Sequence, residues 1–315
     1  MTIDGKTDDP EAKPKDMISV ILGRVSTEDG DRVLEMIAAF MAGDIECPFE
    51  IIIADRIQDG VSKTIAVNYP AVRLIPCTST MSLPEMRALA FESSQGTLIA
   101  VTEDHCVPTF GWLNIASRAF EGAGADLAAV GGCVQNGVTE TGFDWATFLC
   151  EYSFFSPPVT EGNSQILPGM NVIYRRRALE SVPRAALNEG FWETTVHPLL
   201  LYAGARFVSL NALKMYHCKK FSVGLFLKQR FLYSRYYAGI RFKPEQRGKR
   251  LTATVATCLL PPLLLWRMIG SARAKGLGRE FVSALPGLAL MVIIWSVGEG
   301  YGYLAGPGDA LARIE

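Results

Sequence analysis

Short apolar runs alternate with helix-like segments through the first part of the chain. Residues 31–41 repeat apolar side chains at the spacing of a helix with one buried face, at Val33, Leu34, Ile37, Ala38 and Met41. Apolar, β-favouring runs occur before and after this segment, at 17–22, 49–54, 72–75, 98–101 and 128–134. Strands that alternate with helices predict an α/β domain with a parallel, doubly wound sheet.

Two apolar runs without charged residues lie near the end of the chain. The first, 251–266, has 16 residues, about 24 Å of helix at ~1.5 Å per residue, which is shorter than a hydrocarbon core of ~30 Å. It also contains Pro261-Pro262, which we expect to break a helix. The second, 281–298, is longer, and its apolar character continues to 304. We therefore predict that 281–304 spans a membrane and that 251–266 is re-entrant, with spanning as the alternative.

Basic residues flank the first apolar run on both sides. One group lies within 241–250, and the other comprises Arg267, Arg273, Lys275 and Arg279. The positive-inside rule places both groups on the cytoplasmic side and the tail after Pro307 outside. A simple two-helix hairpin is the competing topology, but it leaves the basic loop outside. A soluble core formed by both runs would leave the basic flanks unexplained.

An amphipathic stretch, 221–242, precedes these runs. It mixes aromatic residues with the cations Lys228, Arg230, Arg235 and Arg241. Cations among aromatic side chains suit a membrane interface. Arg230 and Arg235 could also bind the phosphates of a lipid-linked acceptor or of a donor diphosphate.

Composition narrows the class of protein. The net charge of −1 gives no global field that would attract nucleic acid. The seven cysteines are scattered and form no Cys-x-x-Cys pair, which predicts buried free thiols in a reducing compartment. Residues 1–16 are polar and lack the apolar core of a signal peptide, so we predict a disordered tail and a cytosolic first domain.

The run 98–101 ends in three side chains that can bind a metal, Glu103, Asp104 and His105, and Pro108 then ends the strand. In open α/β sheets, ligands bind at the carboxyl ends of the strands. Such a cluster could hold a divalent cation and, through it, a diphosphate. The alternative is a polar turn, but turns favour Asn, Gly or Ser. The pattern therefore favours a site.

The block 82–113 carries a family resemblance. A helix with Arg87 leads to the strand 98–101, and Glu103-Asp104-His105, Cys106-Val107-Pro108 and Trp112-Leu113 follow. This order and spacing resemble the donor-site core of family 2 glycosyltransferases with the GT-A fold. There the strand ends in an Asp-x-Asp metal motif, which differs from the triplet here, and the residue after the Arg is usually Asn, where this chain has Ala88.

The resemblance implies a donor site. It suggests that Asp55, after the second strand, contacts the nucleotide base, although an Asp that caps the next turn is an equally good interpretation. Arg87 would meet a nucleotide phosphate or base, and Glu103 and Asp104 would bind the donor. Pro168-Gly169-Met170-Asn171 resembles the Gly-x-Asn strand that borders the sugar pocket, so Asn171 would hydrogen-bond a sugar hydroxyl.

The resemblance also implies a metal and a base. Asp104 and His105 would hold Mg²⁺ or Mn²⁺, and His217 would complete the metal shell or touch the diphosphate. Counting back from Gly204 aligns Glu193 with the Asp that acts as the family's general base. The helix dipole stabilises a carboxylate at this position as an anion, which could then accept a proton. The alternatives are a first-turn Glu that only supports the helix, and Glu189 as the base.

These predictions combine into one domain plan. A GT-A domain, Rossmann-like and typical of nucleotide-diphospho-sugar transferases, occupies 17–220; interfacial helices occupy 221–250, membrane segments 251–308, and a tail 309–315. The resemblance implies an inverting glycosyltransferase on the cytoplasmic face of the plasma membrane. It would transfer sugar from a nucleotide-diphospho sugar to a membrane-associated glycolipid or polysaccharide. Two alternatives stay open: transfer to polyprenyl phosphate without a base, and a non-catalytic, membrane-tethered subunit that binds nucleotide sugars.

Overall fold

The computed structural model describes residues 16–27 and 30–314. The predicted disordered tail, 1–16, therefore lies outside the described residues except for Asp16. Nine strands are present in the described part: β1 Ile18–Arg24, β2 Phe49–Asp55, β3 Arg73–Pro76, β4 Leu98–Val101, β5 Cys106–Pro108, β6 Leu127–Asn136, β7 Gly162–Ser164, β8 Val172–Arg175 and β9 Arg206–His217.

Helices separate most of the strands and then take over the chain. Those of the first part are α1 Arg32–Phe40, α2 Gly60–Asn68, α3 Leu83–Ser93, α4 Trp112–Phe120, α5 Gly142–Tyr152, α6 Arg176–Glu180, α7 Arg184–Gly190 and α8 Glu193–Tyr202. The last four are α9 Val223–Arg241, α10 Arg247–Ala256, α11 Leu260–Ala274 and α12 Gly278–Ala305. Two short 3₁₀ turns, Thr257–Leu259 and Leu311–Arg313, complete the described elements.

The strands form one mixed sheet in the order β3-β2-β1-β4-β8-β6-β9-β5, with β7 paired to β9. The first four are parallel, as predicted. The prediction of a wholly parallel sheet is wrong, because β8 runs antiparallel between β4 and β6, and β5 and β7 run antiparallel to β9. Periodicity identifies a strand but not its direction, which depends on the edge from which the chain re-enters the sheet.

The apolar runs form the centre of the domain. Every residue of β1 and of β4 is buried, as expected for strands covered on both faces. Burying one Ile, Leu or Val side chain contributes roughly 1.5–3 kcal/mol, so this central pair is a large share of the core. The carboxyl ends of β1, β2 and β4 lie at one edge of the sheet, where Arg24, Asp55 and Val101 end their strands.

The C-terminal helices are longer than the sequence predicts. Helix continues from Arg247 to Ala274, and α12 is also 28 residues long, so each is long and apolar enough to cross a membrane. The predicted break at Pro261-Pro262 is a local interruption: α10 ends at Ala256, a 3₁₀ turn follows, and α11 begins at Leu260 with the helical path continued. The two prolines fall in the first turn of α11, directly after the 3₁₀ turn. Amide N–H groups in the first turn of a helix have no helical partner, so proline is tolerated there.

Helix α12 packs along the α/β domain over its whole length. Near its start, a Cβ on Gly287 would lie 2.7 Å from Ala146 of α5, and near its end a Cβ on Gly302 would lie 2.9 Å from Ala238 of α9. Beyond it, Ala310 and Ile314 are buried against the domain. The start of α12 therefore packs on α5 and its end on α9, and the crossing by 281–304 stays a prediction.

All seven cysteines are free, and six of them are buried. Cys258, on the 3₁₀ turn before α11, is exposed. The prediction of buried free thiols is thus confirmed except at this position.

We expect enlargement of the glycines of α12 to weaken the protein. Gly298→Val and Gly302→Val each place a side chain against α9, and overpacking of this kind costs typically 1–3 kcal/mol. Gly270→Val on α11 is the matched control, because no heavy atom lies within 4 Å of its Cβ position. Thermal unfolding of the detergent-solubilised variants measures the difference. Equal stability of all three would show that α12 does not pack closely on α9.

Candidate active site

An open cavity of about 1310 Å³, partly continuous with solvent, lies at the carboxyl edge of β1 and β4. Its walls come from the loop after β4, the start of α8, helices α5, α9 and α12, and the end of β9. Among the predicted site residues, it is lined by Arg87, Glu103, Asp104, His105, Glu193, His217 and Arg230. Segments that are far apart in the chain thus converge on one space.

Three side chains in the cavity form a group that could hold a metal ion: Glu103, His105 and His217, with ligand atoms within 4.8 Å of one another. His105 Nε2 lies 3.2 Å from Glu103 Oε2 and 3.1 Å from His217 Nε2. The pairing of β5 with β9 places Cys106 opposite His217, and this brings the two imidazoles together. His217, which the family resemblance alone suggested, is therefore a member of the group, and His105 lies between it and Glu103.

Asp104 occupies a different place from the one predicted. Its Oδ1 accepts a hydrogen bond from His105 Nδ1 at 2.8 Å, and the three-residue group contains Glu103 in its stead. A carboxylate on Nδ1 fixes the imidazole tautomer, so that Nε2 keeps a lone pair for a metal. In the described residues, Asp104 thus lies behind His105, where it can orient the ring, and Glu103 lies in the group that could hold a metal. The role of Asp104 as a direct ligand stays a prediction.

Arg87 joins the metal-competent group to the start of α8. Its side chain is 1% exposed; Nη2 donates to Glu103 Oε1 at 3.2 Å, and Nη1 donates to the carbonyl of Phe191 at 3.2 Å. One guanidinium therefore orients Glu103 and holds the chain two residues before Glu193. Arg87 is therefore a buried, paired cation of the cavity wall.

The charged groups of the cluster shift one another's pKa values. Burial would raise the pKa of Glu103, but the hydrogen bond with His105 and the nearby cations lower it well below the usual range. Burial would likewise lower the pKa of His105, but the carboxylates of Asp104 and Glu103 raise it. The pKa of His217 is lowered well below its ordinary value by burial and by the charge of His105. Glu103 is therefore ionised and His217 neutral, the states that metal ligands require, whereas the raised pKa of His105 means that this ring must release a proton before its Nε2 can bind a metal.

Glu193 is the first residue of α8 and lines the same cavity. Its carboxylate lies against the loop before β8, where a Cβ on Gly169 would be 3.0 Å from Glu193 Cδ. Burial raises the pKa of Glu193 above that of an ordinary Glu. Glu189, the competing carboxylate, is exposed on α7 and does not line the cavity. Of the two candidate bases, only Glu193 thus lies in the cavity.

Arg230 is held in the cavity wall by stacking. It is 6% exposed; its guanidinium lies 4.4 Å from the ring centroid of Trp295 and 5.0 Å from that of Tyr233. Its Nη2 lies 3.7 Å from Glu151, and its buried Nε has no hydrogen-bond partner in the described part of the chain. A buried cation with donor capacity to spare is suited to an anionic ligand.

Sequence reasoning missed Glu151, Lys219 and Trp295, which also line the cavity. Glu151 lies on α5, within the segment 143–155, whose aromatic side chains at helical spacing suit either the wall of an acceptor groove or a packed core. Trp295 lies in the run interpreted as a membrane span. A motif search has no signal for either residue, because only the packing of α5 and α12 turns them toward the cavity.

Asn171 and Asp55 do not line the cavity. Asn171 is fully buried: its Oδ1 accepts from Trp112 Nε1 at 3.0 Å, and its Nδ2 donates to the carbonyls of Cys133 and Leu213 at 2.9 Å each. Its predicted role toward a sugar is therefore corrected to a structural one, and Gly169 of the same motif faces the site instead.

Asp55 caps the turn after β2, the alternative that the sequence left open. Its Oδ1 accepts from the amide of Ile57 at 2.9 Å, and its Oδ2 accepts from Ser62 Oγ at 2.5 Å. Buried Arg24 lies 3.5 Å away and is bound mainly by Asp59. The predicted contact of Asp55 with a nucleotide base has no support from this arrangement.

Arg235 also lies outside the cavity. Its Nε donates to the carbonyl of Gly306 at 3.3 Å, and its guanidinium lies 4.9 Å from the ring centroid of Tyr301. Asp309 is 3.9 Å from its Nη1. Arg235 therefore holds the end of α12, and its predicted role at a phosphate is corrected.

The donor set fits a divalent transition metal. Two imidazoles and one carboxylate converge, with an orienting carboxylate behind His105. Mg²⁺ prefers an all-oxygen shell, whereas imidazole suits transition metals. Glu103, His105 and His217 are the residues that would hold such an ion.

Comparison with known proteins identifies the fold of the α/β domain. No protein-family model matches the chain, and no curated protein matches it. Among solved structures it is similar to the mannosyltransferase PcManGT from Pyrobaculum calidifontis in complex with GDP-Man and Mn²⁺, at 15% identity over 92% of this chain and 88% of that one, with a TM-score of 0.53. A weaker likeness is to S. aureus TarS in complex with UDP-GlcNAc, at 14% identity over 90% of both chains and a TM-score of 0.47. The α/β domain has the GT-A fold.

We expect Mn²⁺ to raise the melting temperature of the wild-type protein. His105→Ala and His217→Ala should each abolish this shift, because each removes a ligand atom of the group. Asp104→Asn should keep the shift but require about 10–100-fold more Mn²⁺, since it only orients His105. Thermal unfolding over a Mn²⁺ titration measures both effects. Loss of the shift in Asp104→Asn as complete as in His105→Ala would return Asp104 to the ligand set.

Proposed function

We propose that this protein is an inverting, metal-dependent glycosyltransferase that uses a nucleotide-diphospho sugar. The observation that carries the proposal is the placement of a metal-competent group and a half-buried carboxylate, Glu193, in one cavity of a GT-A domain. The bound ion would offset the negative charge of a nucleoside diphosphate. Because of its two imidazoles, we expect Mn²⁺ to serve better than Mg²⁺.

The side chains of the cavity would have separate roles in a single displacement at the anomeric carbon of the donor sugar. Glu193 would take the proton of an acceptor hydroxyl while the acceptor oxygen bonds to the anomeric carbon. The bond from that carbon to the diphosphate oxygen breaks, and the configuration inverts in the single step. Arg87 is a positioning residue, because it holds Glu103 on one side and the chain before Glu193 on the other.

The acceptor would enter on the side of the C-terminal helices. Arg230 of α9 and Trp295 of α12 line the cavity, so these helices contribute directly to the site. A membrane-associated acceptor with a phosphate or diphosphate group suits the buried guanidinium. This assignment favours a glycolipid over a soluble glycan, and the basic residues that flank 251–266 support a reaction at the cytoplasmic face of the membrane.

Arg230 also supports transfer to polyprenyl phosphate as the second candidate. A phosphate oxygen is already an anion and needs no base, so Glu193 would then be dispensable. A non-catalytic subunit that binds nucleotide sugars is the third. Transfer or hydrolysis of any nucleotide sugar by the purified protein with Mn²⁺ removes that third possibility.

We expect Glu193→Gln to lower the turnover rate by about a hundred- to ten-thousand-fold with little change in donor binding, because the amide cannot accept a proton. Glu189→Gln is the matched control on exposed α7 and should retain full activity. Glu151→Gln tests the other carboxylate of the cavity. A transfer assay with all three variants decides: a large loss at Glu151 alone would move the base there, and activity in all three would favour a phosphate acceptor.

The raised pKa of Glu193 predicts a pH dependence. A base works only when deprotonated, so the turnover rate should fall as the pH drops through the pKa of Glu193. Because burial raises this pKa, the fall should begin at a higher pH than the ordinary Glu value of about 4.3 predicts. The pH profile of turnover checks this, and the residual activity of Glu193→Gln should lack this limb. An identical limb in the variant would assign it to another group.

We expect Arg230→Lys to raise the KM for the acceptor by roughly tenfold, since a lysine keeps the charge but loses the planar fork that binds phosphate. Arg235→Lys is the matched control, because Arg235 lies outside the cavity. Steady-state kinetics with varied donor and varied acceptor separate the two KM values. A rise in the donor KM alone would assign Arg230 to the donor diphosphate instead.

A further inference from the structure

Helices α10 to α12 leave a continuous apolar face uncovered. In the helical stretch Arg247–Ala274, only 11% of the most apolar 18-residue segment is buried. In α12, only 39% of the corresponding segment is buried. The exposed side chains recur at helical spacing, in the first stretch at Leu251, Val255, Leu259, Leu263 and Trp266, and in α12 at Val282, Leu285, Ile293, Val297, Tyr301 and Leu304. An exposed apolar face of this extent marks an interaction surface.

The inner face of the same helices is attached to the domain at both ends. The carbonyl carbon of Ser283, near the start of α12, would lie 3.0 Å from a Cβ on Gly142 of α5. At the other end a Cβ on Gly302 would lie 2.9 Å from Ala238 of α9, and Tyr236 of α9 donates a hydrogen bond to the Glu189 carbonyl of α7 at 2.6 Å. If α12 crossed a bilayer with a core of ~30 Å, one of its ends would leave the domain. Both ends therefore stay on the side of the catalytic cavity.

Charge around the apolar face identifies its partner. Residues 246–279 contain no Asp or Glu, and their cations lie at the two ends of the helical stretch: Arg247, Lys249, Arg250, Arg267, Arg273, Lys275 and Arg279. Aromatic Trp266 is 70% exposed beside Arg267. An apolar face bordered by cations and an exposed indole is suited to the headgroup boundary of an anionic leaflet. A second copy of the chain would present the same cations and repel this one at both ends.

We infer that the α10–α12 hairpin lies in the plane of one leaflet of an anionic membrane, and that no segment of the described chain crosses the bilayer. The exposed apolar face inserts to the depth of the headgroup boundary, and the basic residues contact lipid phosphates. The protein is then monotopic. This arrangement keeps the cavity wall formed by Arg230 and Trp295 close to the lipid surface.

Flotation with lipid vesicles tests the docking face without any substrate. The full-length protein should float with vesicles of phosphatidylcholine and phosphatidylglycerol, and less with pure phosphatidylcholine or at high salt. Leu259→Glu and Val297→Glu should each lower partitioning roughly ten- to hundredfold, because a charge replaces an apolar side chain at the interface. Val67→Glu, on α2 and 77% exposed, is the matched control and should float like the wild type.

Equal flotation of the two hairpin variants and the wild type would overturn the proposal. A second result would also overturn it. The wild-type protein would sediment as a dimer in the soluble fraction, and both hairpin variants would sediment as monomers while their flotation stayed unchanged. That result would assign the face to a second copy. Neither outcome bears on catalysis, because no donor or acceptor is present.

Cysteine labelling in intact cells tests the topology. In a Cys258→Ser background, single cysteines at Lys249, Arg279 and Ala312 report the two ends of the hairpin and the C-terminal tail, and all three positions are exposed. A membrane-impermeant maleimide should label none of them until the cells are permeabilised, and then all three. Labelling of Ala312→Cys or of Arg279→Cys from outside would show that a helix crosses the membrane and would overturn the proposal.

Discussion

The buried ion pair between Arg87 and Glu103 is the contact on which the site depends. The Arg87 side chain is 1% exposed, and a buried charge is tolerated only when it is paired, so removing one partner typically costs about 3–5 kcal/mol. The same guanidinium holds the Phe191 carbonyl. Helix α3, the loop after β4 and the approach to α8 are therefore tied together at one point, and the orientation of Glu103 and the position of Glu193 follow from it.

Around this pair, the site combines three kinds of support. Strand pairing brings His217 of β9 beside the loop that carries His105. A hydrogen bond from Nδ1 to Asp104 fixes the His105 ring. On the far side, the stacking of Arg230 on Trp295 ties the cavity wall to α12. The C-terminal helices thus form part of the cavity wall, and their outer apolar face lies on the opposite side of the same helices.

The glycines of α12 explain how a helix of membrane-like composition can belong to this domain. Gly287, Gly298 and Gly302 remove the side chains that would separate it from α5 and α9. Close approach then buries one face and leaves the other apolar face free. Run length and the positive-inside rule cannot detect this arrangement, because hydropathy measures composition and does not say which neighbour a face meets.

The sequence by itself determined the α/β class, the parallel half of the sheet and the strand that ends at the metal-competent residues, because periodicity and local order depend on neighbouring residues. Glu193 was indicated only by the family resemblance, through its alignment with Gly204, because the local sequence alone favours a first-turn Glu that supports its helix. Only the tertiary structure decided that Glu103 faces the ligand group while Asp104 turns behind His105, and that Gly169 faces the cavity while Asn171 is satisfied in the core. The direction of a side chain in a turn depends on the backbone dihedrals and on packing partners distant in the chain, so no local pattern predicts it.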